Sequence, residues 1–307
     1  MTLKISLLTP VYNRAAVIAQ AVESVVAQAY PAVEHIILDG GSTDGTLAVL
    51  ARYPHVRVHQ QADSGMYDAL NRGLAMAQGE IIGFLNSDDV YRPGAFDAIL
   101  RTFQRHPRAD AVAGRAEYFL ERPSRPPWVF RRTQRLTPTN LWRELIYGDP
   151  AFNAWFFRRR VFERLGGFDP VFRIAGDREF LWRFALAGLQ VIGIPQVVYA
   201  YRVHADSLSL STQAAGFLPV ADEVLRLAQA YRPRLPAEAQ TWLRRALVRD
   251  TITAASRSLR RGKWRLAWHY ARLGTREART WPLRFMWRLL GGGYRWLGRR
   301  LGWYPPL

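Results

Sequence analysis

The sequence predicts an α/β fold, a mostly parallel sheet flanked by helices, followed by a basic helical extension. Three observations carry this. Short apolar runs rich in Ile, Leu and Val alternate with stretches of helical periodicity. Each run ends in a cluster of Gly, Asn, Ser or Asp, where open parallel sheets place their ligands. The charge is uneven: of the net +18, the stretch from Ala221 to Leu307 holds 19 Lys/Arg against 5 Asp/Glu, with seven of the eleven Trp. We therefore expect an α/β domain over 1–215 and a basic, Trp-rich helical region over 216–307.

The elements follow in order. "KISLLTP" is a strand closed by Pro10. "RAAVIAQAVESVVAQ" sets Val17, Ala21, Val25 and Ala29 at helical spacing. "VEHIILDG" is a second buried strand, and Ser42, Thr43 and Asp44 are candidate caps for the helix "TLAVLARY". "VRVHQQ" is a third strand, "MYDALNRGLAMAQ" a helix and "EIIGFL" a fourth strand. Between residues 116 and 150 the pattern fails; "ERPSRPPWVFRRTQRLTPTN" reads as a long loop. Periodicity returns at "NAWFFRRRVFERLGGFDP". "GDREFLWRFALAGLQ" is a helix, "VIGIPQVVYAYRVH" a strand pair or extended edge, and the pattern is helical beyond residue 215.

Composition narrows the chemistry. The chain is 49% hydrophobic, enough for a sizeable core. It has no cysteine, which excludes disulfides, thiolate metal sites and cysteine nucleophiles. "MTLKISLLTPVYN" lacks signal-peptide features, and no apolar run is long enough to predict a transmembrane helix.

Three polar clusters are candidates for function. "NSDD" places Asp88 and Asp89 at a strand end. Asn, Ser and Asp favour turns, but two adjacent carboxylates also suit a hard cation bound through few protein oxygens plus substrate phosphates. On a turning chain one can take the cation while the other accepts a ribose hydroxyl. In "ILDGGSTDGT", Asp39 leaves a buried strand and can accept from a nucleobase; Asp44 reads better as a helix cap. In "DSGMYDALNRGL", Ser64 and Gly65 precede a helix whose N-terminus suits phosphate, and Ser64 reads equally as a cap. Asp68, Asn71 and Arg72 share a helix face; Arg72 reaches a diphosphate or is solvated. No Walker loop and no G-x-G-x-x-G after the first strand is present.

"TPVYN", "ILDGGSTDGT", "DSGMYDALNRGLAMAQGEIIGFLNSDD" and "FRIAGDREFLWR", in this order over roughly residues 3–210, resemble a family 2 glycosyltransferase. The resemblance implies the GT-A fold, an inverting transfer from a nucleotide-sugar donor, UDP-sugar first, and Mg²⁺ or Mn²⁺ as cofactor. It implies nucleotide contacts from Pro10, Tyr12, Asn13, Asp39, Ser42, Ser64, Gly65, Asn71, Arg72 and Asp88, with Asp88 at the ribose. It makes Asp89 the metal ligand with His204 beside it, and Asp177 the general base, a residue whose position alone reads as a helix cap. Where many relatives read His-Gln, this chain has Phe152-Asn153, which leaves the acceptor open. A sugar-phosphate nucleotidyltransferase and a non-catalytic adaptor are the rival readings.

In the C-terminal region, Leu283, Met286, Leu290, Tyr294, Leu297 and Leu301 form one helical stripe, flanked by Arg284, Arg288, Arg295 and Arg299, with Gly291–Gly293 weakening the helix. Such helices pack on the catalytic domain, lie on an anionic membrane or, least favoured, bind nucleic acid. We expect the membrane, with a glycan or lipid-linked acceptor, in surface polysaccharide assembly on the cytoplasmic face of the cell membrane.

Overall fold

The computed structural model describes residues 3–122, 124–204 and 214–289. The chain divides into two compact units, 1–210 and 211–307. In the first, β1 (Ile5–Val11), β2 (Val33–Asp39), β3 (Val56–Gln60) and β4 (Ile81–Phe84) run parallel in the order β3-β2-β1-β4. They are joined through α1 (Ile18–Val26), α2 (Thr46–Leu50) and α3 (Met66–Met76). These are the four strands read from the sequence; β1, β2 and β4 are buried on both faces, which is why they do not alternate, whereas β3 is largely exposed. Val11 pairs with Asp39, so the polar ends of β1 and β2 lie level.

Beyond β4 the sheet is mixed. β5 (Val90–Tyr91), α4 (Ala95–Arg105), β6 (Ala111–Arg122), β7 (Arg125–Arg132), α5 (Leu141–Ile146), β8 (Trp155–Arg158), α6 (Arg159–Leu165), α7 (Gly176–Leu186) and β9 (Val191–Arg202) follow. β8 runs antiparallel between β4 and β6, β9 parallel to β6, and β5 antiparallel to β9.

Two expectations are corrected. The stretch 116–150 is not one loop: β6 and β7 form a hairpin, and α5 follows. β7 pairs with β6 and is exposed along nearly its whole length, so Pro and Arg are tolerated there, and their density masks the strand. "VIGIPQVVYAYRVH" is the single strand β9; its register against β6 shifts between Gly193 and Val197, where Pro195 interrupts the ladder.

The sheet packs α1 and α4 over Ile5, Leu7, Val22, Phe96, Ile99 and Phe156 on one side. Another part of the core is aromatic: Phe84 and Phe152 are 5.0 Å apart between ring centres, Phe162 and Phe180 4.8 Å. Such pairs add about 0.5–1.5 kcal/mol each beyond burial. Phe152, at the position expected on the acceptor side, is part of this core.

The second unit contains α8 (Ala214–Tyr231), α9 (Ala237–Arg260), α10 (Trp264–Glu277) and a helix over 281–289. Leu218, Val248, Ile252, Tyr270 and Trp281 form its core. Trp281 lies flat against the bare backbone of Gly274, where an added Cβ would sit 1.9 Å from its indole nitrogen, and that nitrogen donates to Thr251 Oγ1 at 2.9 Å. Leu283 and Met286 of the expected stripe are exposed; the positions from Leu290 onward, with Arg295 and Arg299, lie outside the described residues. Among the described residues no helix is long and apolar enough to cross a membrane.

Candidate functional site

The polar strand ends meet at the carboxyl edge of β1, β2 and β4. β1 runs past Pro10, expected to close it, to the buried Val11; Tyr12 is 60% exposed, and Asn13 adopts φ 51°, a left-handed conformation that Asn tolerates. The Asn13 N–H donates to Ser42 Oγ at 2.9 Å, and Asn13 Oδ1 accepts from the Thr43 N–H at 2.8 Å. The loops after β1 and β2 are thereby stitched together. Asp44 accepts from the N–H groups of Ala15 and Thr46, both at 3.0 Å, which braces the same junction. The hydrogen bond from the Thr46 hydroxyl is the main cause holding its carboxyl below the usual range.

Asp39 ends β2 and is 1% exposed. Its Oδ2 accepts from the N–H groups of Gly41 and Ser42, each at 3.0 Å. Its Oδ1 is buried without a hydrogen-bond partner. An orphaned buried carboxylate oxygen is costly and calls for an occupant. Asp63 lies over this loop: a Cβ on Gly40 would meet its carboxylate at 2.8 Å.

The α3 start differs from expectation. Gly65 is the boundary residue, and no side chain caps the helix. The Ser64 N–H already donates to Asp68 Oδ2, and the Gly65 N–H to Asp63 Oδ1, each at 3.0 Å. Arg72 donates to the carbonyls of Ala62 and Gln61 at 3.3 and 3.4 Å and sits 3.8 Å from Asp63. Asn71 donates to the Phe168 carbonyl at 2.8 Å and accepts the Phe168 N–H at 2.7 Å. Arg72 and Asn71 thus hold loops in place, and the Arg72 Nε–H is buried without a hydrogen-bond partner.

After β4, the two carboxylates differ. Asp89 is 2% exposed; Oδ2 accepts from Asn86 and from the Tyr199 hydroxyl, both at 2.9 Å, and Oδ1 from the Arg202 N–H at 2.7 Å. Burial and then the neighbouring charge of Asp88 push its carboxyl well above the usual range. Asp88 is partly exposed, and its Oδ2 lies 2.9 Å from His204 Nε2. Arg202 donates to the Asp88 carbonyl at 2.8 Å and reaches Glu121 and Gln20, so the tip is clamped from β9. The donor set suits a hard divalent cation that takes one or two protein groups and completes its shell with phosphate. Among the described residues no three acidic or His side chains are grouped as a self-sufficient metal cage.

Tyr199, Tyr201 and Asp149 are residues the sequence did not single out, and Asn153 stood out there only as a departure on the acceptor side. Asn153 Nδ2 donates to the Tyr199 hydroxyl at 3.2 Å, and its N–H to the Tyr201 hydroxyl at 3.3 Å. Tyr201 stacks on Tyr118 at 4.9 Å, and Tyr118 donates to Asp149, which also pairs with Arg131. The Tyr-x-Tyr-Arg-x-His run "YAYRVH", leading into His204, is the signal available in the sequence.

Asp177 is the second residue of α7, whose boundary is Ala175, so Asp177 is not the capping residue. Its N–H donates to the Tyr67 hydroxyl at 3.1 Å, Tyr67 donates to the Ile174 carbonyl at 3.1 Å, and Asp177 Oδ1 accepts from the Arg178 N–H at 2.7 Å. The α7 start is thus joined to the α3 start. Burial raises the Asp177 carboxyl above its ordinary value, with Asp149 adding to the rise against the pull of Arg178 and Tyr67.

The sequence profile described as Glycosyl transferase family 2 matches residues 6–166. An uncharacterized glycosyltransferase of Nostoc sp. is 27% identical over 225 residues, 69% of each chain. A PGL/p-HBAD biosynthesis glycosyltransferase of Mycobacterium tuberculosis is 28% identical over 183 residues, 57% of this chain and 67% of that one. Among solved structures, residues 1–349 of S. aureus TarS in complex with UDP-GlcNAc superpose with TM-score 0.57 at 17% identity, covering 94% of this chain and 92% of that one. The mannosyltransferase PcManGT of Pyrobaculum calidifontis, in complex with GDP-Man and Mn²⁺, superposes with TM-score 0.56 at 21% identity over 94% and 88%.

Proposed function

The chain belongs to glycosyl transferase family 2, and from that premise we propose that it moves a sugar from a UDP-sugar to a hydroxyl of a glycan or lipid-linked acceptor, with inversion, in surface polysaccharide assembly. The observation that carries the donor reading is the orphaned Asp39 Oδ1. Uracil offers one imide N–H, which one free oxygen satisfies. Guanine offers two neighbouring donors that ask for both oxygens, and Oδ2 is already held by Gly41 and Ser42.

At the tip we assign Asp88, with His204, to the cation and Asp89 to bracing, the reverse of the order expected for the two carboxylates. Asp89 has both oxygens engaged from Asn86, Tyr199 and Arg202, whereas Asp88 is the partly exposed one. A Mg²⁺ or Mn²⁺ ion held there neutralises the departing diphosphate. Asp177 takes the proton of the acceptor hydroxyl as that oxygen attacks the anomeric carbon opposite the leaving group. Its raised carboxyl makes it a better proton acceptor than an ordinary Asp. The Tyr67 hydroxyl holds its backbone N–H, and the Arg178 N–H holds its carboxylate. The setting we infer is the cytoplasmic face of the cell membrane, with the C-terminal basic helices as the peripheral contact.

Thermal melting tests this. UDP with Mn²⁺ raises the melting temperature, by about 2.7 kcal/mol of stabilisation at a hundred times Kd, and GDP does so less. Asp39→Ala abolishes the shift, and Asp88→Asn removes its dependence on Mn²⁺. Equal stabilisation by GDP would count against the uridine donor.

A further inference from the structure

The second unit carries an exposed surface that its own core does not explain. α10 turns Ala267, Tyr270 and Gly274 inward. At about 100° per residue, Trp264 and Trp268 fall together on one flank, one turn apart, and they are 71% and 69% exposed. Arg265, Arg272 and Arg276 form the neighbouring stripe, turned away from the core. From Arg257 to Arg276 the chain has seven Lys/Arg and no Asp or Glu. Burial first, and then the charges of Arg288, Arg261 and Arg260, holds the Arg257 guanidinium below its ordinary value, so cations crowd each other near the α9–α10 turn. Like charges held close repel, and a polyanionic surface relieves them. Two rings beside a stripe of cations match the headgroup level of a bilayer, where Trp sits at the boundary and Arg meets phosphate.

Resting on the reading that the C-terminal region meets a membrane, we propose that α10 is the docking face. Trp264 and Trp268 enter the headgroup–acyl boundary of an anionic bilayer, while Arg265, Arg272 and Arg276 lie against the lipid phosphates. Contact is interfacial, and the anchor acts without the segment after residue 289. Truncation before residue 281 is a poor test, because it removes the buried Trp281.

The full-length protein is mixed with phosphatidylglycerol–phosphatidylcholine vesicles, or with phosphatidylcholine vesicles alone, and sedimented. Wild type goes down with the anionic vesicles and not with the neutral ones. Trp264→Ser/Trp268→Ser lowers the partition coefficient about tenfold or more and leaves the UDP–Mn²⁺ melting shift unchanged. Undiminished binding by this variant, with loss in Leu283→Ser/Met286→Ser/Trp287→Ser, overturns α10 as the face and leaves a membrane anchor in the last helix. Wild type that stays off anionic vesicles overturns the proposal, as does an α10 face that instead holds two copies together in sedimentation velocity. Loss of the UDP–Mn²⁺ shift with vesicle binding intact speaks against the donor reading alone.

Discussion

Asp177 shows how one side chain is asked to do two things that conflict. Its carboxyl is raised by burial, so the ionised form that accepts a proton is the form the fold disfavours. The folded value lies above the unfolded one, about 3.9. Stability from this group is therefore fully present below that pH and is lost as pH rises through the folded value. Asp177→Asn should melt higher than wild type at pH 8, with the difference vanishing near pH 4, while transfer falls about 10²–10⁴-fold and the UDP–Mn²⁺ shift persists. Retained transfer would remove Asp177 from the role of base. In wild type the acidic limb of the kcat/KM profile should lie above that of an unperturbed carboxylate. Tyr199 tests the tip differently. Its hydroxyl serves Asp89, the Asn86 N–H and Asn153 at once. Tyr199→Phe should cost about 1–3 kcal/mol in urea unfolding, because buried polar groups lose their partner. The carboxylates themselves were legible in the sequence, since polar residues directly after apolar strands mark a ligand edge. Their partners were not: Tyr199 and Arg202 meet Asp89 across more than a hundred residues of chain, a contact no local period encodes.

At the scale of elements, the start of α3 and the start of α7 work as one piece. Gly176 has no room for a side chain, since a Cβ there would meet the Tyr67 ring at 2.8 Å. Tyr67→Phe keeps that packing but removes the hydroxyl between the Asp177 N–H and the Ile174 carbonyl. We expect kcat to fall with donor affinity unchanged, as read by initial rates over a UDP-sugar series. In the second unit, Trp281→Ala opens a void against Gly274 and strands the Thr251 hydroxyl's indole contact; a loss of about 3–5 kcal/mol in helical unfolding is expected. Of the four parallel strands, β1, β2 and β4 were legible as short apolar runs ended by breakers, and β3 by its alternating Val56 and Val58. The β6–β7 hairpin was not, because an exposed outer strand needs no apolar face and its Pro and Arg content is that of a loop.

For the whole molecule, the uneven charge was the clearest statement the sequence made. All the residues proposed for donor, cation and proton transfer lie between Pro10 and His204, whereas most of the net positive charge lies beyond Ala221. Vesicle binding should therefore weaken steeply between 50 and 200 mM salt while UDP binding at fixed Mn²⁺ changes much less, since exposed charges are screened within about 10 Å at 0.1 M. Equal salt sensitivity of the two would mean that the basic region does not act on its own. The outer strand β7 has one more consequence. It holds Pro126 and Pro127, which have no N–H to offer, and carries Arg125, Arg131 and Arg132. An incoming chain finds fewer donors to zip onto and a row of like charges. Edge-to-edge growth of the sheet is thereby disfavoured wherever many copies crowd together.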